Sequence, residues 1–197
     1  SLFYEPSGDP GRILGVVATI YALVSAAYLL FAVPAGLVRN RIVSTFAVVG
    51  FVAGTMTHGT MIRGLDDGMA WIIVVLIVTF STDTGALIVG SLFGRHKLAP
   101  SISPGKTWEG AIGGLATGIV TCVVAVSLFS LDVSIVEAVT LGTALGITGQ
   151  LGDLAESRLK RQADTKDSSS LVPGHGGVLD RLDSVVWNLI VVYHFVS

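Results

Sequence analysis

Paired carboxylates in the carboxyl-terminal part of the chain are the residues best suited to chemistry. Asp153 and Glu156 are three residues apart, and Asp180 and Asp183 repeat that spacing. In a helix, residues three apart lie on one face. Carboxylate oxygens are the ligands that Mg²⁺ prefers, and a bound Mg²⁺ keeps positions for substrate phosphates. The spacing therefore predicts a magnesium site where two helix ends meet.

Basic residues surround these acids, and we interpret them as ligands for phosphate groups. They are Arg158, Lys160, Arg161, Lys166 and Arg181. Between them lies Pro-Gly-His-Gly-Gly at 173–177, a turn whose glycines expose backbone N–H groups to an anion. His175 has no apolar neighbour there, which favours a functional role over packing. A solvated loop is the simpler alternative, but it explains the bases and leaves the paired acids unexplained.

A second polar segment, 94–110, contains another candidate anion site. Ser103 is a candidate helix N-cap with Pro104 at the first helical position, followed by Lys106 and Thr107. A helix amino terminus that carries a lysine and hydroxyl groups is suited to bind an anion. We therefore expect a phosphate-binding helix to begin at Ser103.

Asp83 lies midway through the apolar stretch 69–93, among serine and threonine residues. A carboxylate at bilayer depth is costly and usually functional, so we expect a polar cavity at this point. A hydrogen bond between helices and a helix break at Gly85 are the alternatives.

The composition predicts that membrane helices position these residues. Of 197 residues, 51% are hydrophobic and 13% charged, against about 25% charged in soluble domains. The fold class is therefore all-α, a polytopic transmembrane bundle of about six spans whose connecting loops form the active site. The apolar stretches run over 13–38, 42–62, 69–93, 110–131 and 135–152, with a shorter sixth over 184–197. A net charge of −2 excludes a globally basic nucleic-acid binder.

The positive charges are distributed unequally between the two sides of such a bundle. If the spans alternate, Arg12 and Arg63 fall on one side and the other ten bases on the other. Basic loops stay in the cytoplasm, which predicts a cytoplasmic active site and an external amino terminus. The ten are Arg39, Arg41, Arg95, Lys97, Lys106, Arg158, Lys160, Arg161, Lys166 and Arg181.

Glycines four residues apart recur in the apolar stretches, a spacing that lets helix backbones approach closely. The pairs and the triplet are Gly50/Gly54, Gly90/Gly94, Gly110/Gly114/Gly118 and Gly142/Gly146. We favour packing within one bundle, and a homodimer through these faces is the alternative. No linker divides the chain, so we expect one membrane domain, 1–197, with 1–68 as amino-terminal scaffold helices.

With these residues assembled, the segment 157–183 resembles the signature of the phosphatidate cytidylyltransferases, also called CDP-diacylglycerol synthases. It reads Ser-Arg-Leu-Lys-Arg, then Lys166-Asp167-Ser-Ser, then Val-Pro-Gly-His-Gly-Gly-Val-Leu-Asp-Arg-Leu-Asp. The segment 101–110 resembles a second family block, with Gly105 where lysine is usual. The resemblance covers about 69–197, which we take as the catalytic core. Because family members have more amino-terminal helices, we expect this chain to lack the first of them.

The resemblance implies that CTP and phosphatidic acid react to give CDP-diacylglycerol and pyrophosphate with a divalent metal, which we take as Mg²⁺. A second cation near Asp83 is a separate hypothesis. The resemblance also implies metal ligands at Asp153, Asp180 and Asp183, and further catalytic residues at Lys166, Asp167 and His175. The expected CTP-phosphate contacts are Ser157, Lys160, Arg161, Gly174, Gly176, Gly177 and Arg181. The expected lipid-phosphate or entrance residues are Asp83, Ser103, Lys106 and Thr107.

Phospholipid biosynthesis in a bacterial inner membrane follows from the same resemblance, with membrane lipids as surroundings and no nucleic-acid partner. Two alternatives stay open. A related CTP-dependent enzyme acting on ether lipids would share the cytidine site. An ion-coupled transporter would use Asp83 in a translocation path but leaves the phosphate-binding segment unexplained.

Overall fold

The computed structural model describes residues 10–28, 41–162 and 179–197, and the statements below refer to these residues. The elements, in order, are α1 (Pro10–Ala27), α2 (Arg41–Arg63), α3 (Gly68–Phe93), β1 (Lys97–Ala99), β2 (Ser103–Thr107), α4 (Trp108–Leu128), α5 (Ile135–Gln162) and α6 (Leu179–Val196). The protein is a helical bundle, as predicted. One short antiparallel hairpin, β1–β2, is added to it.

Three of the described helices are long and apolar enough to cross a membrane: α3, α4 and the segment Ile135–Arg161 of α5. The apolar segments Gly11–Ala27 and Ser184–Val196 are shorter. The expected number of about six spans stays a prediction. Large apolar side chains on the outer faces of α3 and α4, such as Leu87 and Leu128, are more than two thirds exposed. This is the surface that a membrane protein presents to lipid.

Helix α5 continues ten residues beyond the predicted end of its span at 152. The apolar run stops there, but the helix is maintained to Gln162 by polar contacts along its own surface. Lys160 Nζ lies 3.0 Å from Glu156 Oε2, and Ser157 Oγ donates to Asp153 Oδ1 at 3.4 Å. Both pairs are four residues apart, the spacing at which side chains on a helix meet. The predicted stretch marked the end of hydrophobicity, and the helix continues through Asp153 and Glu156, which the spacing had placed at its end.

The prediction that a helix begins at Ser103 is also wrong. Ser103–Thr107 forms strand β2, and α4 begins at Trp108. Thr107 is the N-cap, since its Oγ1 accepts a hydrogen bond from the Gly110 amide at 3.1 Å. Pro104 and Gly105 instead lie in an irregular part of the hairpin.

Glycine allows α3 and α4 to pack with their backbones almost in contact. A Cβ atom on Gly114 would lie 2.7 Å from the Thr82 carbonyl oxygen, and one on Gly110 would lie 2.8 Å from the Ala86 carbonyl oxygen. Such distances exclude any side chain. These glycines therefore pack helices within one bundle, which was the favoured interpretation, and the homodimer stays a prediction.

A buried amide ties α6 to both α3 and α5. Asn188 is fully buried, and its Nδ2 donates to Thr79 Oγ1 on α3 at 2.9 Å. Its Oδ1 accepts from Thr148 Oγ1 on α5 at 2.6 Å. In an apolar interior such interhelical hydrogen bonds fix the relative rotation of the helices. The network therefore sets the direction in which α6 leaves the bundle toward Asp180 and Asp183.

The amino-terminal helices pack against the other end of α6 through a second polar group. Thr19 Oγ1 on α1 lies 2.8 Å from His58 Nε2 on α2 and 2.8 Å from His194 Nε2 on α6. His58 is fully buried, and its Nδ1 is 2.7 Å from the Gly54 carbonyl oxygen. One hydroxyl thus joins three helices, so α1 and α2 belong to the same packed bundle.

Candidate active site

A polar cavity of about 520 Å³ lies between α3, the hairpin, the start of α4 and the polar end of α5. Six of the predicted site residues line it: Asp83, Ser103, Lys106, Thr107, Asp153 and Lys160. They come from three separate elements, α3, β2 and α5. The fold therefore gathers into one place residues that are up to 77 positions apart in the sequence.

An ion pair across this cavity joins Lys106 of β2 to Asp153 of α5. Lys106 Nζ lies 2.5 Å from Asp153 Oδ2, and the two side chains are 24% and 31% exposed. The sequence analysis placed Lys106 on the lipid side and Asp153 on the metal side. Their contact shows that the two residues lie in a single pocket.

One face of α5 supplies most of the charge in the cavity. Gln150, Asp153, Glu156 and Lys160 line it together, at spacings of three and four residues, which a helix places on one side. Gln150 Nε2 donates to the Ala111 carbonyl oxygen at 3.2 Å and so ties this face to α4. Gln150 was missed by the sequence analysis, although extending the helical spacing backward from Asp153 by one turn would have found it.

The hairpin that carries Lys106 is fixed in place by Glu109, which the sequence analysis did not assign to the site. Glu109 Oε2 accepts the backbone N–H groups of Arg95 and His96 at 3.1 and 3.2 Å, and Glu109 Oε1 lies 2.6 Å from His96 Nδ1. The Trp108 amide donates to the His96 carbonyl oxygen at 2.9 Å. The first turn of α4 thus holds the chain that leaves α3.

A shift in the register of the hairpin changes the direction in which the Lys106 side chain points. Lys97 pairs with Thr107 and Ala99 pairs with Ser103, so two steps along β1 oppose four steps along β2 and the register shifts. Extra residues in one strand bend it and turn a side chain away from the regular ladder. Lys106 lies within this shifted stretch, which explains how a surface hairpin directs a lysine toward α5.

Asp83 marks the deep end of the cavity. It lies ten residues before the end of α3 at Phe93, a rise of about 15 Å along the helix. Ala86, Leu87, Gly90 and Ser91 continue the same wall toward the hairpin. A cavity is therefore present beside Asp83, and Gly85 does not break the helix.

The remaining predicted residues divide into three groups. Ser157 contacts Asp153 as described above, and Arg161 Nε lies 3.4 Å from the Ile102 carbonyl oxygen at the hairpin turn. The backbone of Asp180, Arg181 and Asp183 forms the first turns of α6, and their side chains lie outside what the structure describes. Lys166, Asp167, Gly174, His175, Gly176 and Gly177 lie outside the described residues.

Comparison with known protein families gives one match that spans nearly the whole chain. Residues 7–197 match the Cytidylyltransferase family. The chain belongs to this family. The match includes the cavity, the hairpin and both segments that carry the paired carboxylates.

Several bacterial members of the cytidylyltransferase family are similar in sequence, and each is called phosphatidate cytidylyltransferase. The protein of Bacillus subtilis is 39% identical over 82% of this chain and 62% of its own length. Those of Staphylococcus haemolyticus and Haemophilus influenzae are 46% and 44% identical over 62% and 70% of this chain, and over 47% and 50% of their own lengths. The chain thus spans about half to two thirds of these relatives.

Proposed function

We propose that the protein transfers the cytidylyl group of CTP to phosphatidic acid, forming CDP-diacylglycerol and pyrophosphate. The observation that carries the proposal is the single cavity in which Lys106 and Lys160 lie beside Asp153 and Glu156 between membrane helices. Lysines suit phosphate groups, and carboxylates suit a divalent cation. Family membership and the names of the relatives support the same reaction.

The reaction needs positioning and charge neutralisation more than acid or base catalysis. A phosphate oxygen of phosphatidate attacks the α-phosphorus of CTP, and the bond from that phosphorus to the oxygen bridging toward the β-phosphorus breaks. That oxygen leaves with pyrophosphate. The attacking phosphate is already ionised, so no base is required. Placing it in line and balancing the negative charge is expected to supply most of the rate.

The two lysines of the cavity are suited to balance that charge. Without substrate, Lys106 pairs with Asp153 and Lys160 pairs with Glu156. When a triphosphate enters, each ammonium group can exchange its carboxylate for phosphate oxygens. The carboxylates then become available to a cation. In this proposal, each lysine–carboxylate pair separates on substrate binding, the lysine to bind phosphate and the carboxylate to bind the cation.

We assign the divalent cation to Asp153 together with Asp180 and Asp183. Among the side chains that the structure describes, no three histidines, cysteines or carboxylates are grouped as a metal site, so this set depends on the two aspartates at the start of α6. The donors fit Mg²⁺, because all are carboxylates and Asp153 already faces the cavity. When bound, Mg²⁺ would neutralise phosphate charge and polarise the reacting α-phosphate.

The lipid phosphate fits the hairpin side of the cavity. Ser103 and Lys106 line this side, whereas the Thr107 hydroxyl already caps α4, which assigns Thr107 to holding the helix. Asp83 lies deeper in the cavity, where it would order the entrance through which the lipid arrives from the bilayer, or would bind a second cation. The basic residues at this end of the bundle support a location on the cytoplasmic face of a bacterial inner membrane.

The decisive measurement is pyrophosphate release from CTP by protein in mixed micelles that contain phosphatidate. We expect Asp180→Asn and Asp183→Asn each to abolish release. Asp132→Asn, an exposed aspartate in the connection between α4 and α5, is the control and should leave release intact. Unchanged turnover in Asp180→Asn or Asp183→Asn would contradict the metal assignment. An ether analogue of phosphatidate, offered in parallel, decides between ester and ether lipid substrates.

Lys106→Ala separates the lipid side from the nucleotide side. If Lys106 holds the lipid phosphate, the substitution raises KM for phosphatidate more than KM for CTP. The reverse pattern would move Lys106 to the nucleotide. Lys97→Ala, an exposed lysine on the other strand of the same hairpin, is the matched control and should change neither constant.

A further inference from the structure

A second cavity, of about 530 Å³, lies on the face of α5 opposite the polar cavity. Its α5 residues include Leu151, Ala155 and Arg158, which are four and three residues apart and form one stripe. Helix α6, α1 and the hairpin turn complete its walls. The other described lining residues are Leu23, Ile102, Thr148, Gly152, Leu154, Trp187, Ile190 and Val191. The volume lies within the range of about 300–1,000 Å³ that is typical of small-molecule sites.

The lining of this cavity is apolar except at one end. Arg158 is the only charged residue among the described lining residues, and the Thr148 hydroxyl is already hydrogen-bonded to Asn188. Arg158 lies about 10 Å farther along α5 than Leu151, at the end of the helix where Lys160 and Arg161 follow. The cavity is therefore apolar along Leu151 and Ala155 and carries an arginine, Arg158, at the end toward the polar terminus of α5.

This layout matches the layout of a phospholipid. Leu151 on the rim is 59% exposed, so the cavity opens sideways toward the acyl-chain region. An arginine at the end of a transmembrane helix carries its guanidinium at headgroup level. An acyl chain that enters between α1 and α5 would run along Leu151 and Ala155 and bring its phosphate to Arg158.

We propose that this cavity binds one acyl chain of a non-reacting anionic bilayer phospholipid whose phosphate is held by Arg158. The site is distinct from the polar cavity because the body of α5 separates the two. The bound chain contacts both α5, which carries Asp153, and α6, which carries Asp180 and Asp183. Occupancy would hold these two helices, and hence their carboxylates, in a fixed relation.

Lipid retention tests the proposal without reference to turnover. Protein is extracted from membranes of phosphatidylcholine, phosphatidylglycerol and phosphatidate, and the lipids that remain bound are counted by native mass spectrometry. We expect phosphatidylglycerol to be retained over phosphatidylcholine by about fivefold, the effect of one cation near the membrane surface. Arg158→Gln should remove this preference. Arg63→Gln, an exposed arginine at the end of α2, should keep it.

Filling the cavity tests the acyl-chain half of the proposal. Ala155→Phe should lower retention of both lipids, whereas Ala116→Phe, at an exposed alanine on α4, should not. Leu151→Trp at the exposed rim gives a second variant that disturbs little packing. The proposal is overturned if Arg158→Gln keeps the preference, or if both cavity-filling variants retain as much lipid as Ala116→Phe. It is also overturned if only phosphatidate is retained and CTP removes it.

Discussion

Removing the charge of Lys106 is expected to destabilise the ligand-free protein, because Asp153 would lose its partner at 2.5 Å. At an effective dielectric constant near 20, two charges at that distance attract by about 6–7 kcal/mol before desolvation is subtracted. Exposed ion pairs contribute about 0.2–1 kcal/mol, and breaking buried ones costs about 3–5 kcal/mol. With side chains 24% and 31% exposed, we expect a net contribution of about 1–2 kcal/mol, discounted for solvent screening.

A double-mutant cycle measures this contribution directly. Lys106→Met and Asp153→Asn are made separately and together, and the free energy of unfolding is measured by SDS titration in mixed micelles, with tryptophan fluorescence as the signal. Each single variant should lower the free energy of unfolding by about 1–2 kcal/mol. The double variant should lose about 1–2 kcal/mol less stability than the two single variants lose together. High salt should reduce this coupling only modestly, since the pair is partly buried.

Two results would refute the reasoning. A coupling energy below about 0.3 kcal/mol, the scatter expected for independent sites, would mean that the two charges do not interact in the folded protein. A double variant that loses more stability than the two single variants together would mean that the coupling has the opposite sign, so the pair does not stabilise the folded protein. In either case the exchange of Lys106 between carboxylate and phosphate loses its structural basis.

Three further substitutions test the packing and the hairpin. Gly114→Ala places a methyl group 2.7 Å from the Thr82 carbonyl oxygen and should cost about 1–3 kcal/mol of stability, measured by the same SDS titration. Asn188→Ala removes two buried interhelical hydrogen bonds and should also cost about 1–3 kcal/mol. Glu109→Ala releases the backbone at His96 and should lower kcat/KM by about tenfold to a hundredfold through misplacement of the hairpin.

Each substitution has a control elsewhere in the chain. Gly105→Ala meets no atom within 4 Å and should leave stability unchanged. Thr140→Ala removes a hydroxyl that bonds only within its own helix and is the control for Asn188→Ala. If the two variants lose the same stability, the buried hydrogen bonds of Asn188 do not stabilise the bundle. Glu137→Ala removes a carboxylate at the start of α5 and is the control for Glu109→Ala. If Glu137→Ala lowers activity as much as Glu109→Ala does, the effect is a general one of losing a carboxylate.

The sequence was sufficient to identify those candidate site residues whose chemical type is unusual at their position. Asp83 stood out because a carboxylate is rare in an apolar stretch, and Asp153 because its spacing to Glu156 is helical. The structure places both on one cavity. The assignment of metal and phosphate ligands stays a prediction, since several of those side chains lie outside the described residues.

Local signals could not give the arrangement around the hairpin. The segment at Ser103 has the residue types of a helix start, yet the carboxylate of Glu109 binds the backbone at 95–96 and Thr107 takes the cap. The contacts of Glu109 join residues 13 and 14 positions apart, beyond the reach of helix-capping rules. For α5, hydropathy alone ends at 152, whereas the helix continues to Gln162 with intrahelical polar pairs such as Glu156–Lys160.

The length of α5 has a consequence for how the protein responds to its membrane. Its 28 residues span about 42 Å, whereas the hydrocarbon core is about 30 Å thick. The excess carries Asp153 and Lys160 on a rigid rod instead of a loop. A bilayer that thickens or thins changes the tilt of such a rod, and the tilt moves the cavity relative to the headgroups. If Lys106 holds the lipid phosphate as proposed, membrane thickness would be coupled to the height at which that phosphate meets Lys106.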